Sequence, residues 1–474
     1  MALRIPKAEE AITDLNFGWA ECMPEKPALV VNGHPYGYRA LAGLIAEARG
    51  FFARRGDVGA GVAVVAISNL LAFWVASLAL SSLDLKTIAA HSVEDIGDLR
   101  LVDIRCVVCL TGQVWEGIEA LCAARGLPFL ELPAQGEAPL ALDALRSPDG
   151  PGGNILRTSA TTGAYKMVLI DLAFEVEFLL KRLEVSGLTA DSVVNWSDFG
   201  GWTGGGYKTA VLTWMVGVTV IFDQRRPFHL PLLYPGVTLT LMVPEMLDAV
   251  LAAPGGSYPR SETMWLSVTG GGLTQAQINA AKARITPHLF SGLGATETAS
   301  FGFTPLETPE DQRWHRVVPG VPVEIVDEQG QPVPTGVVGL LRVLSAYGPT
   351  GYLNDEAASR AFFKDGFFYP GALAVFREDG RIALQGRVTA VINVRGHKLS
   401  PEPLELALRE GLAAYEVCLF SMPDEAGEEE IHVIIETPAA NPRRSADRGA
   451  EQGAERLSPR PGALHHRPAA KRDG

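Results

Sequence analysis

Between residues 27 and 260, short apolar runs rich in β-branched residues alternate with stretches whose apolar residues recur every three or four positions. The runs are PALVV, GVAVVAI, CVVCL, LPFLEL, VTVIF and LTLMV. Each is nearly continuous in apolar character, the pattern of strands covered on both faces. Between them, YRALAGLIAEARGFFARR places Leu41, Leu44, Ile45, Ala48, Phe51 and Phe52 along one helical face. This alternation predicts an α/β architecture of parallel sheets covered by helices. MWLSVTGGGLTQAQINAAKARI repeats the plan: a strand, a glycine turn, then a helix with Thr274 as N-cap and Gln277 closing a capping box.

Beyond residue 320 the texture changes. VPVEIVDEQGQPV and LAVFREDGRIAL each place a glycine-containing turn between alternating strands, so a smaller antiparallel unit is expected there. GRVTAVINVRGHKLSPEPLELALREG then offers strand, turn and helix, followed by YEVCLFSMP and EIHVIIE as two further strands. After Pro438 the pattern stops. The remainder carries only Leu457 and Leu464 as large aliphatic residues, too few to bury a core, and reads as a disordered tail.

One stretch invites another reading. No charge occurs between Asp57 and Asp84, a length sufficient for a membrane span. Asn69 interrupts it, however, GVAVVAI has strand character, and LLAFWVASLAL has the length of one buried helix. A strand-turn-helix unit and no membrane span are therefore expected.

At 474 residues the chain exceeds what one core usually serves. Its net charge of −13, with no basic stripe before the tail, argues against general binding of nucleic acid or anionic membranes. The N-terminus lacks the apolar segment of a secretory signal and the five cysteines are an odd number, which together predict a cytoplasmic setting. Cys106 and Cys109 form a C-x-x-C, but inside an apolar run, where a buried strand is the expected reading. The nine histidines are scattered without ligand-like spacing, so a metal held wholly by side chains is not expected.

The candidate chemistry lies in RTSATTGAYKMV, residues 157–168. A loop of small hydroxylated residues and glycine turns backbone N–H and hydroxyl groups toward one anion, and Lys166 adds positive charge. It is not a Walker A loop, because Gly163 is followed by Ala164 and Tyr165 before the lysine. By composition alone, a polyphosphate cradle and a plain Ser/Thr-rich surface loop both remain open.

Motifs downstream change the balance. TSATTGAYK resembles the T-S-G-T-T-G-x-P-K-G signature of the adenylate-forming superfamily, which includes acyl-CoA synthetases and the adenylation domains of peptide synthetases. LGATE (293–297) resembles its Y-G-x-T-E, and GYLND, residues 365–387, and INVRGHKLSPEPLE (392–405) resemble its later elements in the same order. The resemblance spans residues 25–436. It implies a large N-terminal AMP-binding domain (1–387) of two α/β subdomains plus a β-rich one, a hinge after Arg387, and a small α+β domain (388–438), partial here, before the tail (439–474). It also implies the reaction: a carboxylate attacks the α-phosphate of ATP to give an acyl-adenylate, and a thiol, usually that of coenzyme A, then displaces AMP.

Residue by residue, the resemblance gives Thr158, Ser159, Thr161, Thr162, Gly163 and Lys166 the β- and γ-phosphates. Thr296 falls to the α-phosphate and Glu297 to Mg2+. Gly270, Gly271 and Gly272 would line the adenine pocket with Leu293 and Gly294, and Arg387 would contact the ribose. Lys166, Thr296 and Glu297 are the catalytic candidates. Trp196, Phe199 and Trp202 are candidates for the wall of a pocket taking a hydrophobic or aromatic carboxylic acid, although buried aromatics are commonly plain core.

The chain also departs from the pattern. Ala160, Tyr165 and Met167 stand for Gly, Pro and Gly in the loop, Leu293 for the aromatic that stacks on adenine, and Ala372 for the aspartate that grips the ribose hydroxyls. No P-x-x-x-x-G-K lysine, which acts in the first step, follows residue 388, and the abrupt change of texture near Pro438 is what a frameshift would leave. Three readings are therefore carried forward: an AMP-forming acid:CoA ligase with adenylation impaired by that missing lysine, an enzyme loading a carrier protein, and a non-catalytic nucleotide or acyl binder.

Overall fold

The computed structural model describes residues 18–55, 60–99, 101, 103–133, 152–158, 165–171, 174, 186–196, 199, 209–223, 225, 227–344, 348–390, 392–394, 397–412, 414, 416–423 and 429–436. The first described strands are β1 (Pro27–Val31) and β2 (His34–Gly37), followed by helix α1 (Tyr38–Ala53). It continues through β3 (Gly61–Val65), α2 (Leu70–Ser81), β4 (Leu85–Ala89), α3 (Val93–Asp98), β5 (Ile104–Leu110), α4 (Ile118–Arg125) and β6 (Phe129–Leu132). β7 (Gly153–Thr158) and β8 (Lys166–Ile170) complete a six-stranded sheet in the order β6-β5-β3-β4-β7-β8. All its pairings are parallel except the last.

A second sheet uses β9 (Val193–Asn195), β10 (Thr219–Phe222), β11 (Leu239–Met242), β12 (Trp265–Thr269), β13 (His288–Ala295) and β14 (Ala299–Pro305). Helices α5 (Thr209–Met215), α6 (Pro244–Leu251) and α7 (Gln275–Arg284) alternate with these strands. The order is β14-β13-β12-β11-β9-β10-β1-β2, parallel inside with antiparallel edges. Each apolar run singled out in the sequence lies in one of these strands, and the capping box of α7 forms as expected, with Thr274 and Gln277 bonding reciprocally.

The two sheets share one core, and α2 explains the membrane-like stretch. Trp74 of α2 lies fully buried, edge-on to Trp214 at 5.2 Å and to Phe222 at 4.4 Å, both from the second sheet's layer. A helix covered by protein on nearly every side needs apolar residues all round. Asn69 caps it, accepting from Ala72 N at 3.0 Å. Among the described residues no helix is long and apolar enough to cross a membrane. Cys106 and Cys109 sit buried in β5, and burial pushes both thiols up to about 12.

The antiparallel unit follows. β15 (Val323–Val326) and β16 (Gly339–Leu344) precede α8 (Glu356–Phe362), β17 (Phe363–Lys364) and β18 (Phe367–Phe368), and β19 (Ala372–Phe376) and β20 (Ile382–Arg387) form its last hairpin. The hairpin expected over residues 321–333 is reduced to a single bridge, Val326 with Pro332, and β15 pairs with β16 instead. Pro332 and Pro334 lack the N–H groups a second ladder strand would need. Beyond β20 lie β21 (Ile392–Val394), β22 (His397–Leu399), α9 (Pro401–Leu412), β23 (Glu416–Pro423) and β24 (Glu429–Glu436); the helix and the two strands after it follow the order read from the sequence, while the single strand expected before the helix is an antiparallel pair. Val417, Leu419, Val433 and Ile435 form a small separate core with Ile392. The tail after Glu436 lies outside the described residues.

Candidate active site

Parallel strands place their carboxyl ends along one edge, and open α/β sheets bind ligands outside that edge. In the second sheet the registers Thr240 with Asn195, Met242 with Val268 and Thr269 with Gly292 set Trp196, Val243, Gly270 and Leu293 side by side along it. Thr269 Oγ1 donates to Gly292 O at 3.1 Å, tying the glycine turn to β13. The turn is exposed, with close neighbours on two sides. A Cβ on Gly271 would stand 3.1 Å from Pro244 of α6, and one on Gly272 3.5 Å from Leu406 of α9. Glu410 of α9 accepts from Gln275 N at 3.0 Å and from the Gln312 amide, which also donates to Leu273 O at 2.6 Å. The small C-terminal unit is thereby docked against the glycine turn.

Glu297 occupies the tip of the β13–β14 hairpin. Residues 296–298 make the turn, and the register shifts between Leu293 and Gly294. A side chain at 294 would place its Cβ 2.7 Å from Ala299 O, so the close crossing of the two strands requires glycine there. A tip residue ordinarily projects into solvent, yet Glu297 is 5% exposed and Thr296 beside it is partly buried. The Tyr352 hydroxyl donates to Glu297 Oε1 at 2.8 Å. Burial, and secondarily the adjoining carboxylate, hold the Tyr352 phenol well above its ordinary range, so it remains a donor.

Lys166 opens β8 and is the cross-strand partner of Thr158, the last residue of β7, so the two flank the hydroxyl loop. Thr158 is buried. The Lys166 ammonium lies over two rings, 4.5 Å from the Phe362 centroid and 5.6 Å from that of Tyr352. One tyrosine therefore touches both the lysine and the glutamate, which are 131 residues apart in the sequence (297 − 166). Ser159, Thr161, Thr162 and Gly163 lie outside the described residues. Tyr352 and Phe362 were absent from the candidates read from sequence. The only sequence signal was the G-Y element of GYLND, which carries no ionisable group of obvious purpose at neutral pH.

The remaining candidates divide. Arg387 is exposed at the end of β20, directly opposite Ala372. Trp196 is fully buried and Phe199 is 9% exposed, both within the main core, and Trp202 lies outside the described residues.

Among the described residues no group of three or more His, Cys, Asp or Glu could hold a metal by itself. A single buried carboxylate fits Mg2+ only together with a phosphate ligand, which is how this small, hard cation is usually held beside nucleotides. Glu297 is a single buried carboxylate of this kind.

Residues 137–353 match the family of AMP-binding enzymes. Triostin synthetase I of Streptomyces triostinicus is 30% identical over 247 residues, covering 50% of this chain and 44% of that protein. A salicyl-AMP ligase / salicyl-S-ArCP synthetase of Mycobacterium tuberculosis is 31% identical over 199 residues, 40% of this chain and 34% of that one. The chain thus spans less than half the length of these curated relatives. An o-succinylbenzoate coenzyme A synthetase from Bacillus subtilis, in complex with ATP and magnesium, superposes with a TM-score of 0.75 over 90% of both chains at 17% identity. Motif order, sheet topology and the matched segment agree: residues 137–353 match the family of AMP-binding enzymes, and the fold is similar to that of the coenzyme A synthetase.

Proposed function

We propose that the protein is an ATP-dependent, AMP-forming ligase that activates a hydrophobic or aromatic carboxylic acid as its acyl-adenylate and passes the acyl group to coenzyme A. The observation that supports this most is the convergence of Lys166 and Glu297 on Tyr352. Free carboxylates are poor electrophiles, and a site that neutralises and positions a triphosphate supplies the leaving group they lack.

In this reading Thr158, Lys166 and the loop between them bind the β- and γ-phosphates, and Thr296 contacts the α-phosphate. An acid oxygen attacks the α-phosphorus, the bond to the bridging oxygen breaks, and pyrophosphate leaves. Mg2+ held at Glu297 would supply charge neutralisation for the triphosphate. The glycine turn 270–272, with Leu293 and Gly294, receives adenine, and Arg387 the ribose. The thiol then attacks the acyl carbonyl and AMP departs. The adenylating part corresponds to residues 1–387 and the small unit to residues 388–438, with the hinge after Arg387.

A second reading, loading of a carrier protein, is supported by the relative named a salicyl-S-ArCP synthetase. Acid-dependent ATP–pyrophosphate exchange with a panel of acids tests the first half-reaction. AMP release with coenzyme A, compared with a phosphopantetheinylated carrier, tests the second. Nucleotide binding without exchange for any acid would instead favour a non-catalytic binder.

A further inference from the structure

Tyr352 is held more firmly than a wall residue needs to be. Its backbone N donates to Ser359 Oγ at 2.8 Å, and Ser359 Oγ donates to Asp355 O at 2.7 Å. The next residue, Leu353, donates its N–H to Met167 O at 2.8 Å, which fastens the segment to β8 one residue past Lys166. Phe362 and Phe363 meet the ring edge-on at 5.9 Å and 5.2 Å. The side chain is 7% exposed, so its hydroxyl is aimed by the fold and not by solvent.

That rigid phenol faces two groups of opposite charge. Its hydroxyl bonds to Glu297 Oε1, and its ring face carries the Lys166 ammonium with help from Phe362. A carboxylate has acceptor capacity for several partners, so one hydroxyl fixes its orientation without using up its oxygens. Hydrogen bonds of this kind to a metal-binding carboxylate typically tune metal affinity by about 10- to 100-fold.

We propose that Tyr352 is a positioning residue that sets Glu297 for the nucleotide-bound cation through its hydroxyl and Lys166 for the phosphates through its ring. This rests on the nucleotide reading above and adds to it a residue with separable functions for its two ends. Tyr352→Phe removes the hydroxyl and keeps the ring, whereas Tyr352→Leu removes both.

The test is calorimetric titration of the full chain with the non-reactive analogue α,β-methylene-ATP, with and without Mg2+, beside thermal melting of each variant. Tyr352→Phe is expected to melt close to the parent and to bind the metal-free analogue within twofold of it. It should lose about tenfold or more of the affinity gained from Mg2+. Tyr352→Leu should also lose metal-free affinity, by about three- to tenfold, because Lys166 loses its ring support. If Tyr352→Phe keeps the parent's Mg2+ enhancement, or exceeds it, the proposal fails while the nucleotide reading stands. If the parent chain binds no analogue in either condition, the nucleotide reading fails and the proposal with it. Should Tyr352→Leu not fold, the Tyr352→Phe comparison still decides the role of the hydroxyl.

Discussion

Ala372 and Arg387 are direct partners across the β19–β20 hairpin, and the N–H of Val388 donates to Gly371 O at 2.9 Å on the adjoining rung. Cross-strand neighbours hold their Cβ atoms roughly 4.5–5.5 Å apart, so one ligand can reach both. On the proposed reading Arg387 meets the ribose, and Ala372 stands where the family resemblance implies an acidic acceptor for its hydroxyls.

Restoring it is informative. Ala372→Asp is expected to tighten ATP binding by roughly 10- to 100-fold, the value of a hydrogen bond to a charged acceptor. Titration calorimetry with ATP and with 2′,3′-dideoxy-ATP checks it. The gain should appear for ATP alone, and an equal gain for both would remove the ribose from the explanation.

Gly386 tests how the small unit is attached. Its φ is +106°, and an added Cβ would stand 2.6 Å from Ser400 Cβ and 2.7 Å from Glu402 Oε2. Gly386→Ala should therefore destabilise the contact between β20 and the segment leading into α9 by about 1–3 kcal/mol. Limited proteolysis should show faster cleavage between residues 388 and 400, with the melting of the α/β core nearly unchanged. Cleavage at the parent rate would count against a tight Gly386–Ser400 crossing.

His315 makes stability depend on pH. Its ring is buried, with Nδ1 lacking a hydrogen-bond partner, and its backbone pairs with Ile382. Burial depresses its titration to about 4, against a smaller opposing effect of Asp311, which is itself paired with Arg381. The unfolded chain therefore binds a proton that the folded chain refuses. The stabilisation is complete above about pH 6.5 and is lost as pH falls from there toward 4, by on the order of 1–3 kcal/mol. Denaturant unfolding at pH 7 and pH 5 should show this slope in the parent and a shallower one in His315→Gln. Parallel slopes would mean that His315 does not carry the effect.

The thiols report on packing. Cys22 and Cys418 are exposed, while Cys106, Cys109 and Cys122 are buried with raised thiol pKa values. A maleimide at neutral pH should label two sites quickly in the native chain and all five only after denaturation, read by intact mass. Rapid native labelling of Cys106 or Cys109 would contradict the placement of β5.

The sequence by itself determined most of the elements. Apolar continuity marked the buried strands, and Thr274 and Gln277 announced the start of α7, because these signals act within one turn or one strand. It also carried the order of motifs on which the family resemblance rests. It did not reveal β7 and β8, whose ladder depends on pairing across the hydroxyl loop, nor that β15 would choose β16 over the proline-bearing segment after it. Residues 61–83 were ambiguous for a related reason: their hydrophobicity is that of a membrane span, and only the presence of a sheet on either side of α2 shows where that surface goes. The site divides in the same way. Lys166 and Glu297 were legible as residue types in motifs, but Tyr352 was not, since nothing local to GYLND says that its hydroxyl meets one charge and its ring another. Tertiary structure decided that relationship, because contacts between residues 166, 297 and 352 exist only once two sheets and the α8 segment have packed together.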